Sequence, residues 1–495
     1  MIYVCIEGYD FKYEIHDTLR IFFGEKEIKY IEKLDKEPPF DSKGAFLLCS
    51  ISQWEGSLLL EIKLSDGKYV YNKRVPIGDV PEGDKQIEKL RKARKEIKRQ
   101  VYIALADYTG ISAPWGVLTG VRPVKIAMEL LERGIKREEA VSELKEHYLI
   151  SEEKAELLLD IAHTEREILK KADSDTISLY IGIPFCPSRC LYCSFTSYSI
   201  NGYRHLTDSY LQTLKSELLA VKDIIKEKAY RIQSIYIGGG TPTSLDEASL
   251  RELLSFIEYN FDLSSLEEFT VEAGRPDSID FDKLKAIKSS RVNRISINPQ
   301  TMNNSVLETI GRKHTASDVI QAFSLARELG FENINMDIIA GLPGESVEMF
   351  ENTLMEISRL KPESLTVHTM AVKRASRLKE SIDQYSFTAE SDVSRMVKMA
   401  QDYALSMGMH PYYLYRQKDM LGKLENIGYC KPGFESIYNI LIMEERQTII
   451  AVGAGAVTKV VYPEDNRIER AFNVKDVEEY IRRVDEMVER KRALL

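Results

Sequence analysis

Residues 180–195 read Tyr-Ile-Gly-Ile-Pro-Phe-Cys-Pro-Ser-Arg-Cys-Leu-Tyr-Cys-Ser-Phe, and the cysteine spacing in this stretch is the strongest signal in the chain. Cys186, Cys190 and Cys193 fall within eight positions, although the 495 residues contain only six cysteines. A structural zinc site normally needs a fourth ligand, usually from a second Cys/His pair, and no such pair follows. The spacing therefore favours a [4Fe–4S] cluster with one open iron over zinc or free buried cysteines.

Six short β-rich runs alternate with helical patterns from residue 176 to about residue 385. This alternation is typical of βαβ units and a parallel sheet, so the predicted fold class is α/β. Right-handed crossovers curl such a sheet toward a barrel, here a partial parallel (β/α)6 barrel. The predicted strands are Ser178–Ile183, Ser234–Ile237, Glu268–Glu272, Arg294–Asn298, Asn333–Ile339 and Ser364–Thr369. The predicted helices between them lie near residues 207–227, 246–259, 280–289, 316–329 and 346–360.

Polar and glycine-rich segments follow each predicted strand. In parallel α/β sheets the chemistry lies at the carboxyl ends of the strands, so these segments are expected to meet in one site. In strand order they are the cysteine motif, Gly238–Thr243, Glu272, Gln300, 341–344 and His368.

The CxxxCxxC motif after the first strand of a βα barrel resembles the radical S-adenosylmethionine (SAM) superfamily. Within it, five segments resemble the oxygen-independent coproporphyrinogen III oxidase family over about residues 176–385, and more weakly to 460. These segments are residues 180–195, 238–243, 294–300, 311–312 and 337–344. Residues 1–175, with Pro-Trp-Gly-Val-Leu-Thr-Gly-Val-Arg-Pro (114–123) and Pro-Tyr-Tyr-Leu-Tyr-Arg-Gln-Lys (411–418), resemble the longer HemZ-type (coproporphyrinogen dehydrogenase) branch.

The resemblance implies two cofactors, a [4Fe–4S] cluster on the three cysteines and SAM on its open iron. Glycines at 238–240 leave the backbone bare for close approach to a ligand, and an arginine fork suits a carboxylate. The residues expected to bind the cofactor are Tyr180, Phe195, Gly239, Gly240, Thr241, Glu272, Gln300, Arg312 and Asp337. Cys5, Cys49 and Cys430 each stand alone in the sequence and are expected to be dispensable for the cluster.

The resemblance also implies a reaction, in which coproporphyrinogen III loses a hydrogen and then CO₂ from two propionates. An unidentified electron donor would supply the cluster. A tetracarboxylate porphyrinogen needs local cations in an acidic protein. Lys373, Arg374 and Arg377 follow the sixth strand, and Arg416 and Lys418 lie in the C-terminal region. The residues expected to act on the substrate are Tyr180, Lys373, Arg374 and Arg416.

Two departures from the oxidase pattern keep alternatives open. The oxidase family has a His at the position of Gly182 and a fourth Cys at the position of Phe195. A sister branch, the radical-SAM haem chaperones, also lacks that fourth Cys, but its haem-site His corresponds to Tyr438 here. This difference favours an enzyme over a haem chaperone. A third interpretation is a radical SAM enzyme acting on another substrate.

Composition limits the remaining possibilities. The net charge of −9 and pI of about 5.6 argue against a general nucleic-acid binder. No apolar run approaches the roughly 18 residues of a membrane span, and the N-terminus lacks the basic segment of a secretory signal. Together with the few cysteines, these features predict a cytoplasmic protein, expected to be a monomer.

The chain is predicted to contain four regions. They are an N-terminal α+β domain of unknown role (1–110), a helical bridge (111–175), the radical SAM partial barrel (176–385) and a C-terminal α/β region covering the substrate (386–495). Residues 1 to about 80 are predicted to be strands, with a hairpin formed by Leu58–Leu64 and Lys68–Val75. A helix with several basic residues is predicted at 84–108, either a solvated face or a basic docking surface.

Overall fold

The computed structural model describes residues 1–31, 44–80, 86–417, 420–462, 464 and 467–495. These residues form two compact units. One contains residues 1–120 and 129–159, and the other contains residues 121–128 and 160–495. The division of the sequence into four regions stays a prediction.

The N-terminal unit contains a five-stranded sheet in the order β2-β1-β3-β4-β5. Its strands are β1 (Ile2–Gly8), β2 (Ile28–Tyr30), β3 (Ala45–Trp54), β4 (Ser57–Ser65) and β5 (Val70–Asp79). The helices in this part of the chain are α1 (Lys12–Phe22), α2 (Gln86–Thr109), α3 (Val124–Glu132), α4 (Arg137–Tyr148) and α5 (Glu152–Leu169). Strands β4 and β5 pair antiparallel, which confirms the predicted hairpin.

Helix α1 corrects the expectation that residues 1 to about 80 are all strand. Ile15 and Leu19 are four residues apart, so they share one helix face, and both are fully buried in the core beneath the sheet. The apolar residues of this short segment therefore follow the period of a helix rather than that of a strand.

Helix α2 carries the basic face seen in the sequence, and two of its cations are paired with carboxylates of α1. Lys98 Nζ lies 2.6 Å from the Asp17 carboxylate, and Arg94 Nε lies 3.2 Å from Glu14. Since both carboxylates belong to α1, these two ion pairs join α1 to α2. The pairing favours a structural role for these cations over a free basic docking surface.

The second unit is built on an eleven-stranded sheet in the order β14-β15-β13-β12-β11-β10-β9-β6-β16-β17-β18, and β7 and β8 pair separately. Its strands are β6 (Thr176–Ile183), β7 (Phe185–Cys186), β8 (Tyr198–Ser199), β9 (Arg231–Gly239), β10 (Glu268–Gly274), β11 (Arg294–Ile297), β12 (Ile334–Ala340), β13 (Ser364–Thr369), β14 (His410–Tyr415), β15 (Asn426–Cys430), β16 (Thr448–Val452), β17 (Val457–Tyr462) and β18 (Arg467–Phe472).

Helices cover this sheet and connect its strands. They are α6 (Ile200–Tyr203), α7 (Thr207–Glu227), α8 (Glu247–Asn260), α9 (Phe281–Lys288), α10 (Asn304–Thr309), α11 (Ala316–Glu328), α12 (Val347–Leu360), α13 (Arg377–Glu380), α14 (Glu390–Ser406), α15 (Ile437–Glu444), α16 (Val477–Arg482) and α17 (Val484–Leu494). The five helices predicted between strands correspond to α7, α8, α9, α11 and α12.

The predicted α/β fold with a parallel sheet is confirmed. Strands β6, β9, β10, β11, β12 and β13 lie side by side and pair parallel, in chain order. Their apolar residues are buried on both faces, which explains why each strand is a nearly continuous apolar run in the sequence.

The C-terminal part of the chain extends this sheet at both ends. Strand β16 pairs parallel with β6, and β15 pairs antiparallel with β13. The strands after residue 386, β14 to β18, therefore belong to the same sheet as the six parallel strands. Within the described residues, no helix is both long and apolar enough to cross a membrane.

Candidate functional site

A cavity of 620 Å³ lies where the parallel strands of the second unit end. Thirteen of the residues predicted to bind the cluster, the cofactor or the substrate line it, although they come from positions 180 to 373. They are Tyr180, Cys186, Cys190, Cys193, Phe195, Gly239, Gly240, Thr241, Glu272, Gln300, Arg312, Asp337 and Lys373. The cavity volume lies in the range typical of small-molecule sites.

The loop bearing the cysteines is fixed to the glycine-rich turn after β9. The backbone N–H of Gly240 donates to the carbonyl of Ile183, and that of Thr241 donates to the carbonyl of Phe185, both at 2.7 Å. The Thr241 hydroxyl lies 3.5 Å from the Cys186 sulfur, to which it donates. Two strand ends therefore hold the first cysteine in place.

The donor set of the cysteine loop suits a cluster better than a single ion. Cys186, Cys190 and Cys193 are free thiols, and all three line the cavity. A structural zinc site would need a fourth Cys or His ligand, whereas a [4Fe–4S] cluster held by three thiolates keeps one iron open. The residues present thus fit a [4Fe–4S] cluster.

The thiols of the cysteine motif are suited to binding a metal rather than to acting as free nucleophiles. Burial raises the pKa of Cys186 to about 12 and also raises that of Cys193. Without a metal these thiols stay protonated near neutral pH, whereas coordination to a metal removes the proton.

Arg275 is a residue of this site that sequence analysis missed. Its Nη1 donates to the Ser188 carbonyl at 2.9 Å and lies 3.7 Å from the Cys190 sulfur. Its Nη2 lies 2.6 Å from Asp277. Arg275 therefore anchors the cysteine loop and places a positive charge beside one sulfur. Its position directly after the third strand was the available signal.

Glu272 lies near the end of β10, close to three tyrosine side chains. The hydroxyl of Tyr236 donates to its carboxylate at 2.6 Å. Burial raises the pKa of Glu272 to about 7, and the nearby charge of Asp337 adds to the increase. The rings of Tyr180 and Tyr438 stack on Tyr236, with centroids 6.3 and 4.5 Å away. This wall of the cavity is therefore aromatic, and it holds one carboxyl group with a pKa of about 7.

Arg312 and Gln300 are linked through Tyr192 of the cysteine motif. Arg312 Nη2 donates to the Tyr192 hydroxyl at 3.1 Å, and that hydroxyl donates to Gln300 Oε1 at 3.0 Å. Arg312 Nη1 donates to the carbonyl of Asn298, while its buried Nε has no partner among the described residues. Tyr192 was not singled out in the sequence, although it precedes Cys193 directly.

The backbone of Gln300 adopts a left-handed conformation, with φ of 70°. Its N–H donates to the Asp337 carbonyl at 2.9 Å, and its carbonyl accepts from the Ile339 N–H at 3.0 Å. A non-glycine residue in this region is strained, and such strain is often found at functional sites. The neighbouring strand β12 holds Gln300 against Asp337.

Asp337 and His368 form a polar pair on the adjacent strands β12 and β13. His368 Nε2 lies 3.7 Å from the Asp337 carboxylate, and its Nδ1 lies 3.3 Å from the Tyr415 hydroxyl. Burial alone would raise the pKa of Asp337, but hydrogen bonding and charge from His368 outweigh it and lower this pKa. Asp337 therefore stays a carboxylate within the cavity.

The predicted substrate cations are placed differently from one another. Lys373 lines the cavity, with Nζ 5.4 Å from the ring centroid of Phe195. Arg374 is exposed and is not in the cavity lining. The guanidinium of Arg416 donates to the carbonyls of Leu424 and Lys423, at 3.2 and 2.6 Å, so it holds a turn outside the lining. The structure thus brings Lys373, and neither arginine, to the cavity.

Three further cations differ in their relation to the cavity. Arg377 is exposed on α13, and Lys418 lies outside the described residues. Lys459, which the sequence analysis did not single out, lines the cavity 3.5 Å from Glu445. It belongs to β17, and its closeness to the site depends on how β16 and β17 join the sheet.

Known proteins resemble this chain in sequence and in fold. The family model described as the radical SAM superfamily matches residues 180–357. Over 410 residues the chain is 42% identical to the oxygen-independent coproporphyrinogen-III oxidase-like protein HemZ of Bacillus subtilis, a match covering 81% of each chain. The chain therefore belongs to the radical SAM superfamily and, within it, to the family of coproporphyrinogen-III oxidase-like proteins.

Other relatives carry two different names. The haem chaperone HemW of Bacillus subtilis is 34% identical over 282 residues, which cover 56% of this chain and 70% of HemW. The oxygen-independent coproporphyrinogen III oxidase of Salmonella typhimurium is 26% identical over 316 residues, covering 63% and 66%. The solved structure of coproporphyrinogen III oxidase (HemN) from Escherichia coli, 22% identical, has the same fold with a TM-score of 0.51, covering 65% of this chain and 72% of HemN.

Membership of the superfamily confirms the predicted cofactors, because radical SAM proteins use a [4Fe–4S] cluster and SAM. It also confirms the resemblance based on the cysteine motif and the strand-end segments.

Proposed function

We propose that this protein is a cytoplasmic radical SAM oxidoreductase that decarboxylates coproporphyrinogen III to protoporphyrinogen IX without oxygen, in porphyrin and haem biosynthesis. The observation that carries the proposal is the shared cavity. It is lined both by the three cysteines of the family motif and by Lys373, a cation suited to a propionate.

Cys186, Cys190 and Cys193 would hold the cluster, and Glu272, Gln300, Arg312 and Asp337 would surround SAM. When bound, these cofactors supply one-electron chemistry that produces an organic radical. The chain itself orients the reactants and keeps water away. Its carboxylates suit the amino and hydroxyl donors of SAM, and the guanidinium of Arg312 suits its carboxylate.

The cavity offers both polar and apolar contacts to a porphyrinogen. Lys373 and Lys459 place ammonium groups at its lining, where propionate carboxylates would need partners. The stacked rings of Tyr180, Tyr236 and Tyr438 provide an apolar face for the macrocycle. Fixing the carboxylates matters, because a displacement of about 1 Å at a reacting centre can lower the rate on the order of a hundredfold.

The alternative of a haem chaperone has less support from the site. Within the described part of the chain, His368 is the one histidine that lines the cavity. Both of its ring nitrogens already face partners, Asp337 and Tyr415. At the position of the chaperone histidine, Tyr438 is buried against Tyr236. A haem iron would have to displace one of these contacts to gain a histidine ligand.

The proposal is tested with anaerobically reconstituted protein, SAM, a reductant and coproporphyrinogen III. We expect CO₂ and protoporphyrinogen IX to form, with 5′-deoxyadenosine released in proportion. A variant with Cys186, Cys190 and Cys193 replaced by Ala should lose the cluster absorbance and all products, whereas Cys49→Ala should keep both. Micromolar or tighter haem binding without CO₂ release would favour the chaperone. Uncoupled 5′-deoxyadenosine formation alone would indicate another substrate.

Lys373 gives a sharper test of the substrate. Lys373→Ala should lower turnover of coproporphyrinogen III about tenfold or more, because a cation facing a propionate is lost. SAM cleavage without substrate should persist. Lys379→Ala, an exposed lysine on α13, is the matched control and should retain wild-type turnover. Equal turnover in the Lys373 and Lys379 variants would contradict the assigned role.

A further inference from the structure

His410, Cys430 and Glu435 form a cluster that the proposed function does not use. Each offers one ligand atom, and the three atoms lie within 4.8 Å of one another. His410 Nε2 lies 3.1 Å from the Glu435 carboxylate and 4.0 Å from the Cys430 sulfur. The carboxylate and the sulfur thus approach the same ring nitrogen. This convergence is what a single metal ion requires of its ligands.

The backbone brings the three residues together from two strands and a turn. His410 begins β14 and pairs in register with Cys430, the last residue of β15. A turn at residues 431–434 follows, in which the N–H of Phe434 donates to the carbonyl of Lys431 at 3.1 Å. This turn returns the chain so that Glu435 lies beside the strand pair. Strand register therefore places His410 beside Cys430, and the turn brings Glu435 next to them.

The cluster lies away from the candidate active site. Cys430 pairs with Ser364, the first residue of β13, so it lies at the amino ends of the parallel strands. The other ends of β14 and β15 carry Tyr415 and Asn426, which line the cavity. Tyr415 and Asn426 mark the cavity end of this strand pair, and the His–Cys–Glu cluster lies at its opposite end.

We propose that His410, Cys430 and Glu435 bind one Zn²⁺ ion that joins the open end of the β14–β15 hairpin. One sulfur, one imidazole nitrogen and one carboxylate form a ligand set typical of zinc, whereas Ca²⁺ and Mg²⁺ prefer oxygen ligands alone. Cys430 is fully buried, while His410 and Glu435 are partly exposed, which leaves room for a water molecule as fourth ligand.

Charge and proton balance are consistent with this site. Burial and the neighbouring Glu435 raise the pKa of the Cys430 thiol, although the charge of Arg294 acts in the opposite direction. The metal-free thiol is therefore protonated and a poor nucleophile. Zinc binding would release that proton to solvent and leave a thiolate, an imidazole and a carboxylate on the ion. In the metal-free protein the Cys430 thiol hydrogen-bonds Glu435 and approaches His410 Nε2, so the three groups already contact one another.

The test uses cluster-loaded protein, in which iron occupies Cys186, Cys190 and Cys193, supplied with zinc alone. Metal analysis should find one zinc per chain in addition to the cluster iron. X-ray absorption at the zinc edge should show one sulfur at about 2.3 Å and nitrogen or oxygen ligands at about 2.0–2.1 Å. His410→Ala should weaken zinc binding on the order of 100-fold. His163→Ala, an exposed histidine on α5, and Cys49→Ala should bind zinc like the wild type.

A second readout separates zinc loss from misfolding. Zinc should raise the melting temperature of the wild type but not that of His410→Ala, while the two zinc-free proteins melt alike because His410 is partly exposed. Equal zinc affinity in the wild type and His410→Ala would overturn the proposal. So would a wild type that takes up no zinc beyond its cluster, or a zinc-edge spectrum without sulfur.

Discussion

At the scale of single residues, burial and paired groups act in opposite directions on the pKa values of two carboxyl groups in the candidate site. Glu272 shows this, because its carboxylate accepts one hydrogen bond from Tyr236 and still has a pKa raised to about 7. The neighbouring Asp337 has a lowered pKa since His368 compensates for its burial. Two carboxyl groups in one cavity therefore hold different protonation states near neutral pH. Glu272, but not Asp337, must lose a proton before it can pair with a cationic ligand.

Glu272 makes the free energy of unfolding depend on pH. Its folded pKa of about 7 lies above its ordinary value of 4.5, so its stabilising contribution is complete below pH 4.5 and is lost as pH rises through 7. In Glu272→Gln this loss, about 3 kcal/mol at most, should be absent. Denaturant unfolding of the cluster-free protein at pH 4.5 and pH 8 measures it. Glu308→Gln, at an exposed position, should show the same change in unfolding free energy between the two pH values as the wild type. The same change in Glu272→Gln would contradict the raised pKa.

At the scale of secondary-structure elements, the turn after β9 determines where the cysteine loop lies. Gly240 is close to two backbone carbonyls and one sulfur. A Cβ added there would lie 2.6 Å from the Phe185 oxygen, 2.9 Å from the Ile183 oxygen and 3.0 Å from the Cys186 sulfur. The first two of these atoms belong to the backbone and cannot move away cheaply. A glycine at this position therefore permits close contact between β9 and the loop after β6.

Gly240→Ala should separate the turn from the cysteine loop and impair cluster assembly. Overpacking of this kind costs about 1–3 kcal/mol of unfolding free energy. Iron content and cluster absorbance after anaerobic reconstitution should fall well below the wild-type values. Gly202→Ala is the matched control, because an added Cβ there meets nothing within 4 Å. If Gly240→Ala assembles a full cluster, the close approach is not required for this site.

At the scale of the whole second unit, the end of the chain is fastened to the barrel by a buried ion pair. Lys491 on α17 and Glu217 on α7 are both fully buried, with Nζ 2.6 Å from the carboxylate. Tyr480 and Asn473 also donate to Glu217, at 2.6 and 2.8 Å. The C-terminal helices are therefore held to α7 by a network in which every member has a partner.

Lys491→Met should destabilise the protein by about 3–5 kcal/mol, because it leaves the buried charge of Glu217 without its cation. Adding Glu217→Gln in the same chain should recover part of this loss, since the charge is then removed. Arg492→Met, at the exposed neighbouring position, should have little effect. Denaturant unfolding compares the four proteins. A double variant less stable than Lys491→Met would show that the uncompensated charge is not the cause.

The parts of the molecule that were predictable from sequence depend on short segments. Each of the six parallel strands is a buried apolar run between helices, and this pattern is visible without knowing which strands pair. The cysteine motif lies within eight positions, so its chemistry was also readable locally. The strand-end residues could be grouped because all parallel strands end at one edge of the sheet. Helix α1 was missed, since its apolar residues were too few to outweigh the surrounding strand signal.

Contacts between distant segments could not be predicted in this way. The sequence does not show that β17 carries Lys459 to the cavity, that Arg416 uses its donors on the carbonyls of a turn, or that Cys430 lies beside His410. Each of these depends on which strands become neighbours and in which register. Strand register moves a side chain from one face to the other when it shifts by a single residue. The chemistry of the cysteine motif is therefore local, whereas the identity of the cations around it arises from the pairing of the sheet.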